Sequence, residues 1–202
     1  MKLYVTWTSP YGRIARIVVA EKGLVDRVEI IEAKTRQAGS PYYAINPSGR
    51  VPYLVRDDGV GMEDSHLIAL YLDRLDGNPR LTRPLEADGW AYGRQEAYAR
   101  SMLDGVSVWV REMRRPANER SPTILAHERD RALRLADFWE REVAHPTMQG
   151  PLVMAQLLLV SALDFAAGGR MAELEASRPN LAAWAARLRA VPSIAATAPK
   201  FG

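Results

Sequence analysis

The residues with chemical potential sit at chain junctions. Ser9, in "TSPYG" (8–12), stands before Pro10, where a short β-rich stretch gives way to a helical pattern. Serine followed by proline at the first helical position is a preferred N-cap on structural grounds alone. The same place sets a hydroxyl beside the unpaired N–H groups and positive dipole end of a helix, where any anion is stabilised. Cap and anion-stabilising group are both open readings of Ser9; Thr8 and Thr6 are its hydroxyl rivals. Asp64-Ser65 begins a second helical pattern and has the same cap chemistry. Val51-Pro52 opens a short strand, where proline is a common first residue. Other chemistries lack residues. There is no Cys, so disulfides, thiolate zinc sites and a cysteine nucleophile are excluded. His66, His127 and His145 are dispersed without ligand spacing, and no metal is expected.

The elements that must position these residues alternate over the first 76 positions. "KLYVT" (2–6) reads as a strand. "PYGRIARIVVAEKG" (10–23) reads as a helix with Ile14, Ile17 and Val18 on its apolar stripe and Arg13, Arg16 and Glu21 on its polar side, stopped by Gly23. "RVEIIEA" (27–33) is a second strand. "VPYLV" (51–55) and "VGMED" (60–64) flank "RDDG" (56–59), a hairpin turn signal. "SHLIALYLDRL" (65–75) returns to helical spacing. The order βαβ–ββα predicts a mixed four-stranded sheet covered by helices. "DGNPRLTRP" (76–84) is rich in turn residues and reads as a linker. Everything after it predicts helices, over 85–115, 123–143, 151–167 and 180–190. The expected organisation is a domain over 1–76, a linker over 77–84 and an all-α domain over 85–202.

Charge and composition narrow the partners. Formal net charge is +3 over 202 residues, and the positive charge is nearly all Arg, scattered among acids along the helices. Nucleic-acid binders concentrate basic charge on one face, so no nucleic acid is expected. The most apolar run (151–167) contains Gln156, Ser161 and Asp164 and reads as a buried helix, not a membrane span. The N-terminus lacks the apolar core of a signal peptide. Absence of Cys fits a reducing compartment, and the expected location is cytoplasmic.

Four segments, in order, carry a family resemblance. They are "TSPYGRIARIVVAEKGL" (8–24), "NPSGRVPYL" (46–54), "EDSHLIALYLD" (63–73) and "RPNLAAWAARLRAVPSIAAT" (178–197). Together they resemble the cytosolic glutathione transferase family across both halves of the chain. The resemblance implies an α/β thioredoxin-like N-terminal domain followed by an all-α domain, with a bacterial serine-type first loop. One stretch departs: where the family has Ser/Thr-x-x-Asp at the start of its buried helix, this chain has Val153-Met154-Ala155-Gln156. A lost cap costs about 1 kcal/mol.

The resemblance also implies roles. Glutathione would be a co-substrate, with no resident cofactor. Its free thiol titrates near the cysteine reference of about 8.5, so an enzyme must lower that pKa to present thiolate. Ser9 would donate to the sulfur, while Tyr4, inside the strand, is expected to be core. Ser9 and Gly12 stand where related glutaredoxins carry Cys-Pro-Tyr-Cys, which argues against exchange through an enzyme mixed disulfide. The family's proline at position 52 is cis, which would turn the backbone of Val51 toward the peptide of glutathione. Ser65 would take the γ-glutamyl carboxylate and Asp64, or Glu63 one register away, its ammonium. Arg50 and Lys34 are candidates for the glycyl carboxylate. Tyr11, Met102, Val106 and Trp109 are candidate walls of an electrophile pocket, although the last three recur at helical spacing, as core residues do. The implied activity is conjugation of glutathione to small electrophiles by a detoxifying homodimer. Two alternatives stand beside it: other glutathione chemistry (peroxidase, dehalogenase or isomerase), and a glutathione-binding or interaction protein with little turnover.

Overall fold

The computed structural model describes residues 1–82 and 89–201. The chain divides into two compact units, Met1–Thr82 with Ala196–Gly202, and Arg83–Ala195. The last residues therefore group with the N-terminal half, whereas the sequence reading leaves them with the helices.

The first unit contains β1 (Lys2–Val5), α1 (Pro10–Glu21), β2 (Glu29–Glu32), α2 (Tyr42–Ile45), β3 (Tyr53–Val55), β4 (Gly61–Glu63) and α3 (Ser65–Arg74). The sheet order is β2-β1-β3-β4, with β1 parallel to β2 and the other pairs antiparallel. Two-residue alternation puts Leu3 and Val5 of β1 inside and Lys2 outside. They join Leu54, Ile14, Ile17, Ile68 and Leu72 in the core. The hairpin turn closes as the sequence predicts, Arg56 N–H donating to the Val60 carbonyl and Gly59 taking a φ of 82°.

Helix α1 corrects the amphipathic reading. Arg13 and Arg16 are buried, at 2% and 6% exposure, and so is every residue from Gly12 to Val19. The Arg16 guanidinium lies 4.8 Å from the centroid of the Trp7 ring. Burial, with the nearby charge of Arg13, pushes the Arg16 pKa down. A planar guanidinium covered by an indole tolerates such a site better than an ammonium does. The Lys200 ammonium, from the returning C-terminal stretch, lies 5.7 Å from the same ring.

Asp73 is a buried carboxylate near the end of α3 that the sequence reading passed over. Its oxygens accept from the N–H groups of Arg80, Leu81 and Thr82 and from the Thr82 hydroxyl, at 2.8 to 3.0 Å. The Lys22 ammonium lies 3.5 Å away. Burial opposes ionisation, yet these bonds win and hold the carboxyl below its ordinary range. One side chain thus organises the connector that leaves the unit.

The second unit contains α4 (Gly89–Met113), α5 (Pro122–Glu142), α6 (Pro146–Gln149), α7 (Met154–Gly168), α8 (Glu173–Ala176) and α9 (Pro179–Arg189); α10 (Pro192–Ala196) ends the helical run. Positions 83–88, which include the end of the predicted linker and the start of the predicted first long helix, lie outside the described residues. Helix α7 is the hub. Every residue from Met154 to Leu163 is buried, and α4, whose Ala99, Met102, Leu103, Val106 and Val110 are also buried, packs along it.

The cap of α7 is half intact. Val153 offers no side-chain acceptor, but Gln156 folds back so that its Oε1 accepts from the Val153 N–H at 3.1 Å. Its Nε2 donates to the Gly150 carbonyl at 3.3 Å. Glutamine at N3 thus supplies the reciprocal half of a capping box, and only the Val153 half of the motif is missing.

Two stability outcomes follow. Gln156→Leu removes both bonds inside a buried helix start and is expected to lower unfolding free energy by about 1–3 kcal/mol, read from denaturant melts at constant m-value. Asp73→Asn is expected to cost about 3 kcal/mol at neutral pH. Because the folded pKa of Asp73 is depressed, its contribution is present above the unfolded value of about 3.9 and is lost as pH falls through the folded value. Wild type should therefore lose its margin over Asp73→Asn in acid; an unchanged margin down to pH 2 (about two units below the unfolded value) would refute this account.

Candidate functional site

Ser9 is the N-cap of α1. Its backbone is extended (φ −73°, ψ 120°), and its Oγ accepts from the Gly12 N–H at 3.1 Å. Proline at the next position has no N–H to leave unpaired. Glycine at position 12 has a spatial reason: a Cβ there would stand 3.3 Å from the Val5 Cβ and 3.4 Å from the Ser9 Cβ. The first turn of α1 therefore lies close against the end of β1. A hydroxyl has one donor and two acceptor lone pairs. The cap bond uses one lone pair, which leaves the Ser9 O–H able to donate to an anion while the cap stays intact.

Register brings the other candidate segments to the same sheet edge. Tyr4 pairs with Tyr53, so the chain leaving β1 toward Ser9 runs beside the chain entering β3 through Val51-Pro52. Tyr53 also pairs with Glu63, so Asp64-Ser65 leaves β4 at that edge too. Val5 pairs with Glu32, so the segment carrying Lys34 exits there as well. Topology thus gathers Ser9, Lys34, Val51, Pro52, Asp64 and Ser65.

The Val51-Pro52 bond is cis. Among the described residues, neither the N–H nor the C=O of Val51 makes a hydrogen bond, while the next carbonyl upstream, of Arg50, accepts from both the Tyr42 hydroxyl and the Asn46 amide. Burial pushes the Tyr42 phenol up and keeps it a donor. The loop before Val51 is braced by a turn in which the Gly49 N–H donates to the Asn46 carbonyl. Gly49 has a φ of 66°, and a Cβ there would meet the Tyr43 ring at 2.7 Å. This accounts for "NPSGR" as a scaffold for Val51. The Arg50 side chain is exposed and makes no hydrogen bond among the described residues; the same holds for Lys34.

Asp64 and Ser65 divide their work. Asp64 is the N-cap of α3, its Oδ1 accepting from the N–H groups of His66 and Leu67 at 2.9 and 3.0 Å. Its φ of 79° is in the left-handed region, a conformation that costs about 1–3 kcal/mol and persists where surroundings enforce it. Ser65 is buried at the first helical position, and its hydroxyl makes no hydrogen bond among the described residues. Glu63 is occupied: its carboxylate accepts from the Ser48 hydroxyl and the Asn46 amide. That bond set ties β4 to the loop before Val51, and each of the two acids uses a single oxygen for its two bonds.

Tyr4 lies half-buried in β1, its ring 5.7 Å from that of Tyr42. Of the candidate pocket walls, Tyr11 follows Pro10 in α1 and is partly exposed. Met102 and Val106 are fully buried in α4, and Trp109 lines a cavity of the helical unit.

Comparison with known proteins gives this geometry its family. A model of the glutathione S-transferase N-terminal domain matches residues 8–75. An uncharacterized GST-like protein of Escherichia coli, YibF, is 30% identical over 166 residues, covering 82% of this chain and 81% of that protein. The chain belongs to the glutathione S-transferase family. Glutathione S-transferase 2 of Saccharomyces cerevisiae is 29% identical over 206 residues, covering 96% of this chain and 88% of that one. A solved structure of a glutathione transferase family member from Pseudomonas fluorescens, with bound glutathione, matches at a TM-score of 0.87 and 26% identity over 98% of each chain. A mixed-sheet domain with a helical region, as the residues predict, is thus this family's fold. No helix among the described residues is long and apolar enough to cross a membrane.

Asparagine tolerates left-handed backbone and caps as well as aspartate. Asp64→Asn should therefore leave the melting transition within about 0.5 kcal/mol of wild type. Asp64→Ala, which loses the cap and keeps the backbone cost, should fall by about 1 kcal/mol. Equal melting of the two variants would refute the cap assignment.

Proposed function

We propose that this chain is a glutathione transferase of serine type, in which Ser9 activates the glutathione thiol for attack on small electrophiles. The observation that carries the reading is the open peptide edge of Val51. Its N–H and C=O, unpaired among the described residues, lie at the sheet edge shared with Ser9, as one free rung for an extended peptide. The glutathione held by the Pseudomonas fluorescens relative supports the same ligand here. The γ-glutamyl carboxylate is assigned to the Ser65 hydroxyl and the first N–H groups of α3, and its ammonium to Asp64. Exposed Arg50 and Lys34 are assigned to the glycyl carboxylate. The working form is assigned as a homodimer in the cytoplasm, with detoxification as its role and no metal or resident cofactor.

The chemistry follows from the Ser9 geometry. Bound thiol at the N-terminus of α1 loses its proton to solvent. The remaining thiolate accepts from the Ser9 O–H while Gly12 keeps the Ser9 oxygen fixed. A hydrogen bond to a charged group contributes about 1.5–3 kcal/mol, which corresponds to a thiol pKa lowered by about one to two units. Thiolate sulfur then attacks the electrophilic carbon, forming the S–C bond as the leaving group departs with its electron pair, or as a conjugated acceptor takes up the pair and later a proton.

Three proteins test this. The absorbance of bound glutathione thiolate, titrated against pH, should give a pKa near 7 in wild type and about one to two units higher in Ser9→Ala. Ser9→Asp keeps the cap acceptor and loses the donor. It should melt like wild type and still leave the thiol unactivated. A bound-thiol pKa unmoved by either change would remove Ser9 from the chemistry. Failure of wild type to bind glutathione at millimolar concentration would overturn the whole reading. Binding without turnover over an electrophile panel would establish the binding-only alternative instead.

A further inference from the structure

The first unit gathers two cations on one indole beside Ser9. The Ser9 N–H donates to the Thr6 carbonyl at 3.1 Å, which makes Thr6–Ser9 a turn with Trp7 and Thr8 at its corner. Trp7 is only partly covered. The Arg16 guanidinium lies 4.8 Å from its ring centroid and the Lys200 ammonium 5.7 Å. Arg16 follows Ser9 by two turns of α1 and so stands on nearly the same face. Helical side chains lean toward the N-terminus, and Arg16 reaches back along α1 to the turn that precedes Ser9.

The charge of this cluster has no answering anion. Arg16 is 6% exposed, and among the described residues neither its guanidinium nor the Lys200 ammonium makes a hydrogen bond or an ion pair. The charge that bears on Arg16 is that of Arg13, of the same sign. An indole face attracts a cation without neutralising it, and a buried charge without a counter-ion is costly. A flat apolar ring flanked by two positive groups suits one ligand chemistry, an aryl body carrying a carboxylate. A rise of about 10 Å along α1 separates the α-carbons of Ser9 and Arg16. Acid and reacting carbon therefore belong at opposite ends of one ring.

We propose that the electrophile taken by this chain is an aryl acid, its carboxylate held by Arg16 and Lys200 beside Trp7 while its reacting carbon faces the sulfur at Ser9. The inference rests on the transferase reading and deepens it by naming the class of second substrate. Thiolate sulfur bonds the β-carbon of a conjugated acceptor, the alkene pair shifts to the carbonyl as an enolate, and the α-carbon then takes a proton from water.

The probes are 4-(3-oxobut-1-enyl)benzoate and its methyl ester, one enone with and without a charge. Each rate is divided by the uncatalysed rate with glutathione. In wild type, kcat/KM for the acid should exceed that for the ester by about tenfold, and added salt should narrow the ratio. Arg16→Met keeps an apolar stem over Trp7 and removes the charge. It and Lys200→Gln should each bring the ratio toward one through the KM of the acid, and Lys200→Glu should take it lower still. Each ratio is internal to one protein, so a variant that folds in part still reports. Calorimetry with the two finished S-conjugates repeats the comparison without turnover. Equal use of acid and ester by wild type, or a ratio that Lys200→Glu leaves in place, would overturn the inference and spare the transferase reading. So would a Lys200→Gln effect on glutathione affinity in place of the acid. Turnover of neither probe would count against the transferase reading, and the relative affinity of the conjugates would then decide the carboxylate site.

Discussion

A helix cannot satisfy its own first N–H groups, and the architecture of the first unit turns on how α1 meets that constraint. The Ser9 oxygen takes the Gly12 N–H, and Gly12 lacks the side chain that would push the turn away from Val5. The remaining donors stay at the sheet edge. Topology does the rest: a parallel β1–β2 pair and antiparallel β3 and β4 bring four separate loops to that edge. The site is therefore a property of strand order and register more than of any one side chain. Ser9 illustrates this, because capping and anion stabilisation draw on different atoms and lone pairs of the same hydroxyl and do not compete.

The polar network around this edge is arranged so that each group is either fully engaged or available. Glu63, Asn46, Ser48 and Tyr42 are bonded to one another or to the Arg50 carbonyl, and they stiffen the approach to Val51. Val51 and Ser65 hold polar groups that are unbonded among the described residues. Unsatisfied groups are tolerated where solvent or a ligand reaches them. Their clustering at a braced edge, next to a left-handed Asp64, is the feature on which the proposed glutathione site rests.

Much of this was legible in the residues. Ser9-Pro10, Asp64-Ser65 and "RDDG" are local signals, read through cap and turn chemistry that depends on a few neighbours only. The order of elements along the chain and the long helices followed from periodicity, whereas the β2-β1-β3-β4 arrangement is a result of the structure. What escaped depends on partners distant in sequence. Arg13 and Arg16 look like a solvated face because nothing in the helical spacing reveals Trp7 above Arg16. Asp73 sits in phase with buried Ala69, a carboxylate at the wrong end of a helix dipole, and that oddity was the available clue to its role in holding Arg80–Thr82. Gln156 looks like a lost cap in the sequence because the family pattern names an acid there, although a longer amide reaches the same N–H. Short α2, α6 and α8 carry too few residues for a periodic pattern.

The placement of Ala196–Gly202 with the first unit bears on how the protein is made. Synthesis is vectorial, so β1 to α3 emerge from the ribosome long before Lys200 can reach Trp7. During translation the Trp7 ring exists without this cation. That unit reaches its final composition only after the helical unit has emerged. A domain that looks N-terminal in the sequence is, in time, the last to be completed.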